Sequence, residues 1–215
     1  MSEEYQTEEE QIEAIKKWWK ENGKSIILGL VIGIGGIGGY RYWQGNVEEQ
    51  AKLASMEFEE VVNLSQGDKQ KFLEKVNNVK SDRAGKSYAD LTAFVAAKSL
   101  IEKKDYEMAK QQLQWIVDNS NQESFIHIAR VRLVKVLMQL NKPDDALSLI
   151  KDMKSNGFES TYAELRGDIY AKLNSVTEAK SEYQLALSTL GPGDQKRVAI
   201  EMKVNNLPAT GVQEK

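Results

Sequence analysis

The sequence predicts an all-α protein, in which one N-terminal membrane-spanning helix is followed by a solenoid of helix pairs. Three observations predict this fold class. An apolar run near the N-terminus carries a single charge, helical periodicity continues from residue 47 to residue 207, and small residues recur in that region at a nearly constant interval. We expect no sheet, because no β-rich run interrupts the periodic region.

The composition of the chain excludes several classes of function. A formal net charge of -3 over 215 residues lacks the basic footprint that phosphate backbones require, so no nucleic-acid partner is expected. The chain has no cysteine and one histidine, His127, which excludes disulfides, thiolate zinc sites and a cysteine nucleophile. Hydrolase, Walker and zinc-protease motifs are also missing. We therefore predict a protein that is not an enzyme and has no cofactor, no metal and no small-molecule substrate.

Residues 1–24 are predicted to be a cytoplasmic N-terminal segment. Ile12, Ile15, Trp18 and Trp19 recur at helical spacing, and lysines lie on the other side. Two interpretations stay open: an amphipathic helix in the membrane interface, or a segment that is helical only next to the membrane.

Residues 25–43 are predicted to be a transmembrane helix. From Ile26 to Trp43 the only charge is Arg41, and a helix of that length reaches about 27 Å, just enough to cross the hydrocarbon core. More lysine and arginine precede the run than follow it, which predicts a cytoplasmic N-terminus and places the bulk of the chain on the other side of the membrane. A cleaved signal peptide is the alternative, and the long acidic lead disfavours it.

Glycines within this run admit two interpretations. Gly33, Gly35 and Gly38 have the spacing of a dinucleotide-binding loop, but no later strands are present to complete the required βαβ sheet. We favour contact with a neighbouring membrane helix, because small residues four apart allow two helices to approach closely. The predicted contact residues are Gly29, Gly33 and Gly36 on one face, and Gly35 with Gly39 on another.

Residues 47–207 are predicted to be a helical domain outside the membrane, after a linker at Gln44–Asn46. Ala109, Ala146 and Ala179 are 37 and 33 residues apart, close to the period of tetratricopeptide repeats. Because a helix pair cannot bury its apolar face alone, residues 47–80 should cover the front of the stack, with Gly67 ending one helix and Asp68 capping the next. Asp194–Leu207 should cover the back through Val198, Ile200, Met202, Val204 and Leu207, and residues 208–215 form a polar tail without an assigned function.

The first helix of each pair should line the concave side, where a protein-binding groove is expected. Its predicted residues are Phe94, Lys98, Ile101, Val131, Lys135, Met138, Glu164 and Asp168. The alternative is that several of them belong to the core between repeats.

Four stretches together resemble one known family. They are "AIKKWWKENGK", the "GYRYW" that ends the apolar run, "AELRGDIYAKLN" and the closing "EMKVNNL". The sequence resembles the YfgM family of gammaproteobacteria, ancillary subunits of the SecYEG translocon, over almost its whole length. The resemblance implies a single-pass inner-membrane scaffold that contacts membrane lipid and whose repeat domain, residues 47–207, is periplasmic. It also implies association with SecYEG and with the periplasmic chaperone PpiD during protein export, and a link to envelope-stress signalling through the Rcs pathway.

Two other functions were weighed against this one. A repeat protein of the same class could act as an adaptor for another envelope-assembly machine. A dinucleotide-binding protein that uses the glycine run is the third and least favoured interpretation.

Overall fold

The computed structural model describes residues 8–153 and 157–208 of the chain. The helices are α1 Glu8–Leu64, α2 Lys69–Asp82, α3 Ser87–Glu102, α4 Tyr106–Asn119, α5 Glu123–Gln139, α6 Pro143–Ile150, α7 Glu159–Lys172, α8 Val176–Thr189 and α9 Lys196–Asn205. Those two described ranges contain no strand, so the predicted all-α class is confirmed. Of the predicted end segments, residues 1–7 and 209–215 lie outside the described residues.

The chain divides into two compact units, Met1–Ala54 and Ser55–Lys215. In the first unit, α1 contains an 18-residue window with a mean hydropathy of 1.4, of which only 6% is buried. It is the one helix in the described part of the chain that is long and apolar enough to cross a membrane. Apolar side chains such as Leu28 and Ile32 point outward, as expected for a helix that has lipid for its solvent.

The predicted linker at Gln44–Asn46 is wrong, because α1 continues through it without a break. The Gln44 side-chain amide donates to Glu48 Oε1 across one helical turn at 3.0 Å. A single glycine, Gly45, lowers helix propensity by about 1 kcal/mol and does not end a helix that is supported on both sides. The expected boundaries at residues 24, 43 and 47 remain predictions.

Three helix pairs form the body of the second unit: α3 with α4, α5 with α6, and α7 with α8. Each pair turns at one residue with left-handed backbone, namely Lys104, Asn141 and Asn174, with φ of 59°, 57° and 61°. After each of these residues, the next N–H donates to a carbonyl five residues earlier: Asp105 to Leu100, Lys142 to Leu137 and Ser175 to Tyr170, at 2.8, 2.9 and 2.9 Å. The same closing turn is therefore used three times.

Small residues sit where the two helices of a pair touch, as predicted. Ala109, Ala146 and Ala179 are completely buried. At Gly167 a Cβ atom would lie 2.5 Å from ring carbons of Tyr183, so α7 and α8 approach so closely that only glycine fits.

Polar contacts between successive pairs repeat with the same period. Side chains 35 residues apart join Gln122 to Ser87, His127 to Tyr162, Lys142 to Glu107 and Lys196 to Thr161. The Ser99 hydroxyl, in the first complete pair, likewise donates to the Ser65 carbonyl 34 residues earlier. Ser65, which precedes α2, and α9, which has no partner helix of its own, thus follow the same spacing as the three helix pairs.

Both ends of the stack are covered, although the back is covered only in part. At the front, Val61 of α1 packs with Phe72, Val76 and Val79 of α2 and with Ala96 of α3, and the Asp68 carboxylate caps α2 by accepting from the N–H groups of Gln70 and Lys71. At the back, Ile200, Val204 and Leu207 join the cluster of Ala163, Ala179 and Tyr183. The predicted burial of Val198 and Met202 is wrong, because they are 58% and 59% exposed. Arg197 donates to the carbonyls of Leu187 and Leu190, which turns that side of α9 toward α8 and leaves the other side outward.

Candidate functional site

The first helices of the three pairs lie side by side, because α3 contacts α5 and α5 contacts α7. A groove of about 520 Å³ lies at the front of this surface. Its lining residues come from the end of α1, from α3 and from α5: Phe58, Leu91, Phe94, Val95, Ala97, Lys98, Ile101, Glu102 and Arg132. Most of these are apolar, and the three charged ones carry two positive charges and one negative charge.

Phe94 forms the floor of the groove. Its side chain is 9% exposed, and its ring meets Phe125 of α5 edge to face at 5.8 Å between centroids. The Arg132 guanidinium lies 4.7 Å from the centroid of the Phe94 ring, close enough for a cation–π contact. The floor is therefore rigid and apolar, with a cation held above it.

The charges at the rim stay available to a ligand. Lys98 and Glu102 are one helical turn apart with 3.8 Å between Nζ and Oε1, and 76% and 53% of their side chains are exposed. An exposed pair at this distance contributes little and exchanges readily. A partner's charged group can therefore replace either member at small cost.

The next three predicted groove residues lie on α5. Val131 and Met138 are half-buried against the main core, and Lys135 is exposed between them. These residues repeat the arrangement of Phe94, Lys98 and Ile101 one pair later.

At the far end of the surface, Glu164 and Asp168 of α7 are engaged by α9. Lys203 Nζ lies 2.6 Å from Glu164 Oε1 and 2.7 Å from Asp168 Oδ1. The Tyr183 hydroxyl also donates to Asp168 Oδ1, at 2.8 Å. These two acids anchor the C-terminal helix, which reduces their availability to a ligand.

The electrostatics of this cluster show a partly buried ionic network. Burial acts to lower the pKa of Lys203, but its hydrogen bonds with Asp168 and Glu164 outweigh burial and the pKa is raised. Burial, together with the Asp168 carboxylate that accepts a hydrogen bond from the Tyr183 hydroxyl, raises the pKa of Tyr183 above the ordinary value for a phenol. Lys203 therefore stays protonated and Tyr183 neutral at physiological pH.

The structure thus gathers Phe94, Lys98 and Ile101 in one cavity, places Val131, Lys135 and Met138 beside it, and pairs Glu164 and Asp168 with another helix. Sequence reasoning missed Phe58, Arg132 and Lys203. Phe58 belongs to the helix before the repeats, and its helical spacing from Ala54 and Val61 is the signal in the sequence that could have found it. Whether the eight predicted residues bind a partner remains a prediction.

His127 has a structural place. It is 6% exposed, its Nδ1 lies 2.6 Å from the Tyr162 hydroxyl oxygen, and its ring stacks on Phe158 with 4.9 Å between centroids. It therefore links α5 to α7 inside the stack.

The glycine run has none of the geometry of a dinucleotide loop. Gly33, Gly35 and Gly38 lie in the interior of α1, where backbone N–H groups bond along the helix and none is presented to a pyrophosphate. In the described structure, a Cβ at Gly29, Gly33, Gly35, Gly36 or Gly39 would meet nothing within 4 Å. These faces are open to a neighbour.

Comparisons with known proteins agree with this architecture. A family model described as a tetratricopeptide repeat-like domain matches residues 16–209. A protein of Haemophilus influenzae named "Ancillary SecYEG translocon subunit" is 34% identical over 200 residues, covering 93% of this chain and 97% of its own. Proteins with the same name from Aggregatibacter actinomycetemcomitans and Escherichia coli are 34% and 27% identical, with 93% and 94% of this chain covered and 97% and 98% of theirs. No solved structure gives a significant match.

Proposed function

The chain belongs to the tetratricopeptide repeat-like family of ancillary SecYEG translocon subunits, and from this premise we propose that it is a membrane-tethered adaptor of the translocon. One observation carries the proposal: the match to relatives of that name extends over more than nine-tenths of both chains. The membrane helix and the repeat domain are thus both part of what is shared.

The proposed mechanism is tethering. The exposed apolar part of α1 lies in the inner membrane, and the repeat domain carries its groove on the periplasmic side, next to the channel exit. Holding a groove beside the channel raises the local concentration of emerging chains, so that a modest affinity is sufficient. No catalytic step is required of the protein.

The groove's chemistry limits its ligand. The apolar floor of Phe58, Phe94 and Ile101 suits an apolar segment, and Lys98 with Arg132 suits a carboxylate beside that segment. We propose that a periplasmic chaperone of the PpiD kind, or an exported chain on its way to one, supplies this segment. A link to envelope-stress signalling through the Rcs pathway would act through the same contact between the groove and the chaperone.

Photocrosslinking in cells tests the groove. A photoreactive residue at Lys98, which is exposed at the rim, is expected to crosslink to a chaperone or an exported chain. The matched control is Lys180 on α8, which is exposed and outside the groove. Equal crosslinking from both positions, or recovery of other envelope-assembly factors without translocon subunits, would contradict the proposed role.

The glycine faces are proposed to contact a membrane helix of the translocon or its associated proteins. Because nothing in the described chain lies within 4 Å of these positions, replacing Gly29, Gly33 and Gly36 with leucine should leave the chain's own fold intact. We expect less translocon to copurify with this variant. The control replaces Ile27, Val31 and Ile34 with leucine in the same helix. An undiminished yield of translocon from the glycine variant would refute the contact.

A further inference from the structure

The part of α1 that precedes the span has a basic side and, next to it, an apolar side. At 100° per residue, Lys16, Lys20 and Lys24 fall on one side with Lys17 nearby, and we call these four residues the lysine stripe. Ile12, Ile15, Trp18 and Trp19 fall on an adjoining arc of about 120°, on which Ile12 and Trp19 border Lys16, and they are 50%, 66%, 54% and 52% exposed. Neither side is used by the proposed groove or by the glycine faces.

The continuity of α1 fixes the height of the lysine stripe above the hydrocarbon. Counted from Ile26 at 1.5 Å per residue, Lys24 lies about 3 Å, Lys20 about 9 Å and Lys16 about 15 Å along the helix axis. The headgroup layer on each side of a bilayer is about 5–7 Å thick, and a lysine side chain spans a further turn of helix. Lys20 and Lys24 therefore reach the depth of the lipid phosphates, and Lys16 and Lys17 lie within a Debye length of about 8 Å of the headgroup layer. Glu13, one turn before Lys16 and Lys17, lies about 20 Å from Ile26 and beyond that distance.

Trp19 marks the same depth from the apolar side of the helix. A Cβ at Gly23 would lie 3.2–3.3 Å from the Trp19 indole atoms, so the ring lies flat along the helix, one turn nearer to the span. That places the indole about 4–5 Å from the level of Ile26, where tryptophan prefers to sit. The residue that allows this arrangement is a glycine within an otherwise bulky segment.

We propose that the lysine stripe is a binding site for the headgroups of anionic phospholipids, in the leaflet on the N-terminal side of the membrane. Between Ala14 and Ser25 there are four lysines and one acid, Glu21, which gives the segment the charge opposite to that of the lipid phosphates. The occupant is lipid because the stripe is the direct continuation of the span. The inference rests on the membrane span of the proposed function. It adds the class of lipid that is bound and the four lysines that bind it.

Native mass spectrometry of the full chain in mild detergent tests the site. The protein is offered equal amounts of phosphatidylglycerol and phosphatidylcholine, and bound lipids are counted. Each lysine close to an anionic surface contributes about fivefold in binding. We expect the parent protein to retain phosphatidylglycerol at least about tenfold over phosphatidylcholine, with the preference falling in high salt.

The variant K16Q/K17Q/K20Q/K24Q is expected to lose that preference, and the corresponding four Lys→Arg changes should keep it. A matched control, K71Q/K151Q/K172Q/K180Q, removes the same charge from exposed lysines of the second unit and should behave as the parent does. No preference in the parent, or an equal loss in both glutamine variants, would overturn the proposal. Copurification with the translocon is measured in parallel. If K16Q/K17Q/K20Q/K24Q loses the lipid preference and still copurifies with the translocon, the lipid site and the proposed adaptor function are independent of each other.

Discussion

Replacing Gly167 with alanine is the sharpest test of the helix-pair packing. The added Cβ would sit 2.5 Å from Tyr183 Cδ1 and Cε1 and 3.0 Å from Cγ. Comfortable carbon contacts are about 3.5–4 Å, so the overlap is about 1 Å. The ring has little room to withdraw, because Tyr183 is 3% exposed and its hydroxyl is held by Asp168 at 2.8 Å.

Two effects of opposite sign set the magnitude. Overpacking of a close helix contact costs about 1–3 kcal/mol, and the better helix propensity of alanine returns up to about 1 kcal/mol. We expect a net loss of about 1–2 kcal/mol in the free energy of unfolding, or a melting temperature lower by about 2–8 °C.

The assay is urea and thermal unfolding of the full chain in detergent, followed by circular dichroism at 222 nm. The control is Gly193→Ala, at a position where a Cβ meets nothing within 4 Å in the described structure. In a Tyr183→Leu background the alanine should cost less, because the contacting ring is gone. A Gly167→Ala protein as stable as the parent would refute the close approach of α7 and α8.

Three further predictions concern stability. Lys104→Gly should raise the free energy of unfolding by about 0.5–1 kcal/mol, because a φ of 59° strains any residue that has a Cβ. Lys104→Ala keeps the Cβ and should bring no such gain. Urea unfolding of both variants measures the difference. Lys203→Met should lower the free energy of unfolding by about 1–3 kcal/mol, because Glu164 and Asp168 lose the cation that they share. The side chains of these two acids are only 23% and 33% exposed, so water replaces the cation poorly. Lys180→Met is the control, and equal losses in both variants would contradict the network. Burial lowers the pKa of Lys80 to about 8, so the unfolded chain binds the proton more tightly and stability should rise between pH 8 and pH 10.5. The whole shift would correspond to about 3 kcal/mol, and solvent screening of this partly exposed side chain reduces the expected rise to about 1 kcal/mol. Lys80→Met should lack the rise, and the same rise in that variant would refute the assignment.

Much of the repeat domain could be predicted because its signals are local. Ala109, Ala146 and Ala179 recur at intervals of 37 and 33 residues, close to one repeat length, and the Asp68 carboxylate caps the helix that follows it. The apolar window of α1 could likewise be predicted from its composition alone.

What the sequence did not reveal depends on contacts between distant segments. Periodicity assigns an apolar face to α9 but does not say which part of it is covered, so Val198 and Met202 were placed inside when they are outside. The carboxylates of Glu164 and Asp168 looked available until Lys203, 39 and 35 residues later, was seen to bind them. The linker was misjudged because glycine weakens a helix without ending it.

The claim on which the whole account depends is that one helix spans the membrane and holds the repeat domain outside the cytoplasm. Because the chain has no cysteine, single cysteines report cleanly on each side. Ala14→Cys and Ser181→Cys place one thiol before the span and one on exposed α8, and a membrane-impermeant maleimide is added to spheroplasts. The account predicts labelling at position 181 in intact spheroplasts and labelling at position 14 only after the membrane is broken. Labelling at 14 but not at 181 before breakage, or release of the full chain into the soluble fraction, would contradict it.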